Sequence, residues 1–154
     1  WILGRLDDVV NVSGHRLSTI EIESALVAEG SVQEAGAAGI DDALTGQAVA
    51  VFVIPRGDRS PDAAALRDRV AREIGPIAKP RHVIEVPDLP RTRSGKIMRR
   101  LLAQLVHTER ARRAGRTPGP LGDVTSLQNP EAVASVADVL AALPADDPTV
   151  SPQD

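Results

Sequence analysis

Residues 90 to 100, PRTRSGKIMRR, place five cations, Arg91, Arg93, Lys96, Arg99 and Arg100, around one glycine, Gly95. The central cation is a lysine in a chain that otherwise writes arginine: 16 of the 18 basic residues are Arg, and Lys79 is the other Lys. An ammonium is a compact point charge on a long stem, whereas a guanidinium is a wide planar fork. A cation that must reach into a narrow site and touch oxygens of two groups has to be lysine. One charge pair at about 4 Å is worth roughly 4 kcal/mol at a surface-like effective dielectric, enough to matter to a rate. The chemistry on offer is neutralisation of a phosphate or carboxylate anion. Gly95-Lys96 is not a P-loop, because Pro90 stands five residues before Gly95 and no Ser or Thr follows Lys96. The composition leaves open a second reading, a solvated basic face at a helix start. Arg99 and Arg100 in a helix's first turn oppose its macrodipole and call for a partner.

Two other stretches hold candidate residues, GRLDD (4–8) and NVSGHRL (11–17). Read alone, Asp7-Asp8 and Ser13-Gly14 are turns.

The elements that must position these residues follow from apolar spacing. VVNVSGHRL (9–17) reads as two short strands around Ser13-Gly14. Ser18 with Glu21 three residues on is a capping box for a helix that stops at Gly30. Residues 32–40 form a weak strand; 46–55, apolar throughout between Gly46 and Pro55, form a strand buried on both faces. Leu66, Val70 and Ile74 mark a helix over 62–74, and a short strand lies near His82–Val86 between Pro-rich loops. From Ile97, the spacing of Met98, Leu101, Leu102 and Leu105 predicts an amphipathic helix. A weaker helix runs through EAVASVADVLAALP, and ADDPTVSPQD reads as a disordered end. The fold class is α+β: a small mixed sheet with a β-hairpin and flanking helices, plus a largely irregular C-terminal tail. Residues 1–117 are the domain and 118–154 an acidic tail, partly ordered at best.

Composition narrows the function classes. Trp1 and Phe52 are the only aromatics, so there are no stacking platforms for single-stranded nucleic acid. Without cysteine there is no disulfide, thiolate metal site or cysteine nucleophile, which suits a cytoplasmic protein. No apolar run approaches the roughly 18 residues of a membrane span. The start, WILGRLDD, reads as the middle of a longer chain. Residues 1–117 hold 18 cations and 15 acids, while 118–154 hold six acids and no Lys or Arg. Nine cations against one acid in 91–116 give the footprint of a phosphate-bearing partner.

Together, GRLDDVVNVSGHRLSTIEIESALV, GQAVAVFVI, EIGPIAKP, LPRTRSGKIMRRLL and LGDVTSLQNPE resemble the carboxy-terminal domain of adenylate-forming enzymes, in particular AMP-forming acetyl-CoA synthetase. The resemblance covers most of residues 3–131. It implies a lid domain that rotates between two half-reactions. Carboxylate and ATP give acyl-adenylate and pyrophosphate, and CoA then displaces AMP. On matching positions, Lys96 is the adenylation lysine, Asp7 the hinge, and Arg5 and Arg16 contact the nucleotide. Ser13 and Gly14 belong to the face that admits CoA. The family's CoA-contacting arginine precedes EIGP; here Ala71 matches it, so either Arg72 substitutes or it is a solvated helix residue. The family's magnesium site falls on the carbonyls of Val27 and Val32, with Glu29 where a histidine would stand.

The resemblance further implies ATP, CoA and Mg2+ as cofactors, and the protein's own N-terminal adenylation domain as partner. It also implies acetylation of Lys96 by a Gcn5-type protein lysine acetyltransferase and removal by a sirtuin-type deacetylase. Arg91, Arg93, Arg99 and Arg100 would then dock the acetyltransferase. A propionyl-CoA synthetase lid and a stand-alone acetyltransferase substrate are the alternatives; nucleic-acid and membrane partners are not expected. Alone, the lid is expected to be inactive.

Overall fold

The computed structural model describes residues 8–58, 60–119, 121 and 127–151. The chain opens with a hairpin of β1 (Val9–Val12) and β2 (His15–Ser18), followed by helix α1 (Thr19–Ala28). The Ser18 hydroxyl accepts from the Glu21 amide, and Gly30 takes φ +104° where the chain turns away, so both helix signals act as their residue types predict.

Strand β3 (Val32–Asp42) and strand β4 (Gly46–Pro55) then pair antiparallel along their length. Helix α2 (Ala63–Glu73), capped by Asp62, leads through a 3-10 turn to β5 (His82–Glu85), which lies parallel to β4. The sheet order is β2-β1-β4-β3, with β5 beside β4 on the edge where β1 pairs only at Gly46. The sheet is mixed, as expected.

Strand β4 lies at the centre of three layers. Val49, Val51 and Val53 face α1 and α2, in a core with Ile22, Leu26, Leu66 and Val70. Ala48, Ala50 and Phe52 face the other way, toward α3 (Arg99–Arg113) and α4 (Glu131–Ala141), joining Leu102, Val106, Val136 and Leu140. A continuous apolar run is what a strand covered on both faces requires.

The structure differs from the sequence expectation in three places. The weak strand is the longest, 11 residues, although it has few β-branched residues. Its small residues are demanded by close neighbours: a Cβ on Gly36 would stand 3.1 Å from Leu102, and one on Gly39 2.9 Å from Gln47. The helix expected from Ile97 starts at Arg99, because Ile97 pairs back with Arg91 and the Met98 amide donates to the Pro90 carbonyl. Residues 145–151 are not a disordered end. Thr149 and Val150 are buried; the Arg110 guanidinium from α3 donates to the Thr149 carbonyl at 2.8 Å and the Asp41 carbonyl at 2.7 Å.

Candidate functional site

Lys96 sits in a hairpin loop tied by its own backbone. The Thr92 amide donates to the Lys96 carbonyl at 2.8 Å, and the Gly95 amide to the Thr92 carbonyl at 2.9 Å. The Lys96 amide donates to the Thr92 hydroxyl at 3.1 Å, and Gly95 takes φ +90°, the left-handed conformation that favours glycine. Lys96 is exposed, and among the described residues no carboxylate pairs with it. A fastened backbone therefore presents a free ammonium.

The base of the hairpin is clamped from two sides. Arg91, little exposed, donates to Asp88 at 3.0 Å and pairs with Glu34 on β3. Asn129, just before α4, accepts from the Arg91 amide at 2.9 Å and donates to Asp88 at 2.9 Å and the Leu89 carbonyl at 2.7 Å. Burial opposes ionisation of Asp88, but bonds from Asn129, the Leu89 amide and Arg91 outweigh it and hold its carboxyl below the usual range.

Arg99, first in α3, is only 12% exposed at its side chain and donates to Glu23 of α1 twice, at 2.7 Å, and to Asp8 at 2.8 Å. Glu23 also accepts from the Ala37 amide at 2.8 Å. The partner that the helix dipole calls for is thus internal. The basic run shrinks accordingly: Arg112 and Arg113 pair with Glu109, and Arg113 donates to the carbonyls that end α4. Of the five cations around Gly95, Arg93, Lys96 and Arg100 are exposed. Of the four arginines in the expected docking set, Arg91 and Arg99 are committed inside the fold and Arg93 and Arg100 are exposed.

Ser13-Gly14 forms the tight turn of the β1-β2 hairpin, with φ +51° and +86°. Both central residues are left-handed, the pattern of a two-residue hairpin turn. The Ser13 amide donates to the Thr45 carbonyl at 2.9 Å in the β3-β4 turn. A Cβ on Gly14 would meet nothing within 4 Å, and Ser13, Gly14 and Arg16 are all exposed. This turn and the lysine hairpin are anchored at opposite ends of β3. From Glu34 to Asp42 is eight residues, on the order of 26 Å along the strand.

The remaining predicted residues lie apart. Arg72, on α2, is exposed and its Nε donates to the Asp68 carbonyl at 3.4 Å. It shares a shallow depression with Glu29. One Glu29 oxygen accepts from the Ser31 amide at 3.0 Å and from the Ser31 hydroxyl, and the Val27 carbonyl accepts from the Gly30 amide. Magnesium would compete with these bonds, and no group of three His, Cys, Asp or Glu able to hold a metal occurs among the described residues. Arg5 and Asp7 lie outside the described residues; Asp8, which follows, is fastened by Arg99 and by the Thr19 hydroxyl on its carbonyl. The sequence reading missed Asn129, Glu34 and Glu23. Asn129 stands 38 positions from the amide it accepts from, and no local spacing rule connects such residues.

Residues 21–96 match the family of AMP-binding enzyme C-terminal domains. Acetyl-coenzyme A synthetase 1 of Debaryomyces hansenii is 49% identical over 146 residues, covering 92% of this chain and 21% of that protein. Acetyl-coenzyme A synthetase of Mycobacterium bovis is 50% identical, over 84% of this chain and 19% of its own length. The chain thus spans about a fifth of these relatives. Among solved structures, an acyl-CoA synthetase of Brucella canis is 36% identical with a TM-score of 0.62, over 66% of this chain and 19% of that one. The amide bond synthetase McbA of Marinactinospora thermotolerans gives 28% identity and 0.61, over 65% and 20%. The chain belongs to the family of AMP-binding enzyme C-terminal domains, and its relatives are acetyl-CoA synthetases.

Proposed function

We propose that this chain is the mobile lid of a cytoplasmic acetate–CoA ligase, with Lys96 as its adenylation cation. The observation that carries the proposal is the free ammonium of Lys96 on a clamped hairpin. In the first half-reaction a carboxylate oxygen attacks the α-phosphorus of ATP and pyrophosphate leaves. Lys96 holds the carboxylate and α-phosphate oxygens while charge builds on phosphorus, a stabilisation that costs no reorganisation if the loop is already set. In the second, the CoA thiol loses its proton and attacks the acyl carbon, and AMP leaves.

The Ser13-Gly14 turn serves that second step, its open space over Gly14 leaving room for the pantetheine arm. Anchorage of the two stretches at opposite ends of β3 supports a lid that turns between steps. Arg16, and Arg5 beyond the described residues, would contact the nucleotide, Asp7 would be the hinge, and Arg72 is a candidate for CoA phosphate. The complementary adenylation domain would carry the acyl pocket. Acetate rests on the names of the relatives, propionate being the alternative; the amide bond synthetase shows that the fold also accompanies a different product.

Acetylation of Lys96 would remove the charge and stop the first step, and a deacetylase would restore it. Its exposure and the nearby Arg93 and Arg100 suit an acetyltransferase with an acidic docking surface.

In the full-length protein, Lys96→Ala should abolish acetate-dependent pyrophosphate release and spare thioester formation from supplied acetyl-adenylate. Loss of both half-reactions would make the lysine structural and overturn the proposal.

A further inference from the structure

The stretch LGDVTSLQNPE is assigned no role by the chemistry above. Its second half lies against the lysine hairpin. Leu127 is buried and bridges Thr92 as an antiparallel partner, and the Gln128 amide donates to the Arg91 carbonyl at 2.9 Å. Residues 127–128 therefore bridge to the hairpin through its Arg91–Thr92 side. Asn129 completes the arrangement with three bonds, accepting from the Arg91 amide and donating to Asp88 and Leu89. These partners are the residues through which the chain enters the loop. Lys96 itself stays exposed.

We infer that Asn129 is a positioning residue for the adenylation lysine, acting through Arg91 and Asp88 and touching no substrate. The inference rests on the reading of Lys96 above. A loop tip displaced by about 1 Å is enough to lose roughly a hundredfold in a step that depends on orientation. The loss should fall on the first half-reaction alone, because the Ser13-Gly14 turn is anchored at the other end of β3.

The test compares Asn129→Ala and Lys96→Ala in the full-length protein, using acetate-dependent ATP–pyrophosphate exchange and thioester formation from supplied acetyl-adenylate. Asn129→Ala should lower kcat of exchange roughly a hundredfold with little change in KM for ATP, and leave thioester formation unchanged. Amide hydrogen exchange should quicken at residues 92–96. Asn129→Asp, which keeps the acceptor for the Arg91 amide but turns an oxygen toward Asp88, should show the same selective loss if the alanine variant does not fold. Equal losses in both half-reactions, or no loss in either, would overturn the inference. If Lys96→Ala is selective and both Asn129 variants are silent, the inference alone has failed; if Lys96→Ala is itself silent, the reading of the lysine has failed and takes the inference with it.

Discussion

At the scale of residues, the chain separates cations that hold the fold from cations left to act. Arg91 and Arg99 have planar forks that satisfy two carboxylates each at their inner ends, which is what guanidinium geometry does well. Lys96 has a flexible stem and no carboxylate partner among the described residues. Charge alone therefore does not define position 96. Lys96→Arg keeps the charge but widens the head, and the prediction is that it fails to restore adenylation: pyrophosphate exchange should stay roughly a hundredfold below the unmodified protein. Recovery to near full activity in that variant would mean that any cation suffices and that the preference for lysine at this position has another cause. The choice of lysine in an arginine-rich chain was legible in the sequence. Which neighbouring arginines were already engaged was not, since Asp88 stands three positions from Arg91 but Glu34 and Glu23 stand 57 and 76 positions from Arg91 and Arg99.

At the scale of elements, one ion-paired node joins α1, α3, β3 and the entry to β1. Arg99 at the start of α3 meets Glu23 of α1 and Asp8 at the entry to β1, with the Ala37 amide of β3 on the same glutamate. The lysine hairpin ends at Met98, one residue before this node, so the node fixes where the loop rejoins the fold. Removing one partner of a buried pair leaves an uncompensated charge, costing about 3–5 kcal/mol. Arg99→Met should accordingly lower stability to urea by about 3 kcal/mol or more, while Arg100→Met, on an exposed neighbour, should change it little. Equal, small effects would show that the node is solvent-screened.

The element boundaries were largely legible because β4, α1 and α2 carry unambiguous signals: a two-faced apolar run, a capping serine, and Leu66 and Val70 four apart. The start of α3 was misread because Ile97 and Met98 have helical spacing yet serve the hairpin, one by pairing with Arg91 and the other by donating its amide to the Pro90 carbonyl. The Lys96 and Ser13-Gly14 loops were found at the correct positions, but their attachment to opposite ends of one strand emerges only from the register of β3.

At the scale of the whole molecule, α4 and residues 145–151 of the tail are part of the third layer. One of the tail's several attachments is an imidazole. His82 of β5 is buried, and its Nδ1 lies 3.0 Å from the Thr149 hydroxyl. Arg110, Arg81 and Arg67 repel a proton from it and Asp147 attracts one, yet burial is the largest influence, and together they lower its pKa from 6.5 to about 4. The unfolded chain therefore binds a proton that the folded chain refuses between those values. Stability from this group is complete above about pH 6.5 and is lost as pH falls toward 4, by roughly 3 kcal/mol in all. Asp88 and Glu109, whose carboxyls are also held low, add losses only further down, within and below the carboxylate range. An urea titration series from pH 7 to pH 4.5 should show falling stability in this protein. His82→Gln, which can still bond Thr149 but takes up no proton, should flatten that slope even if it starts from a lower value. An unchanged slope in the glutamine variant would mean that other groups carry the acid sensitivity and that the tail is not released by this histidine.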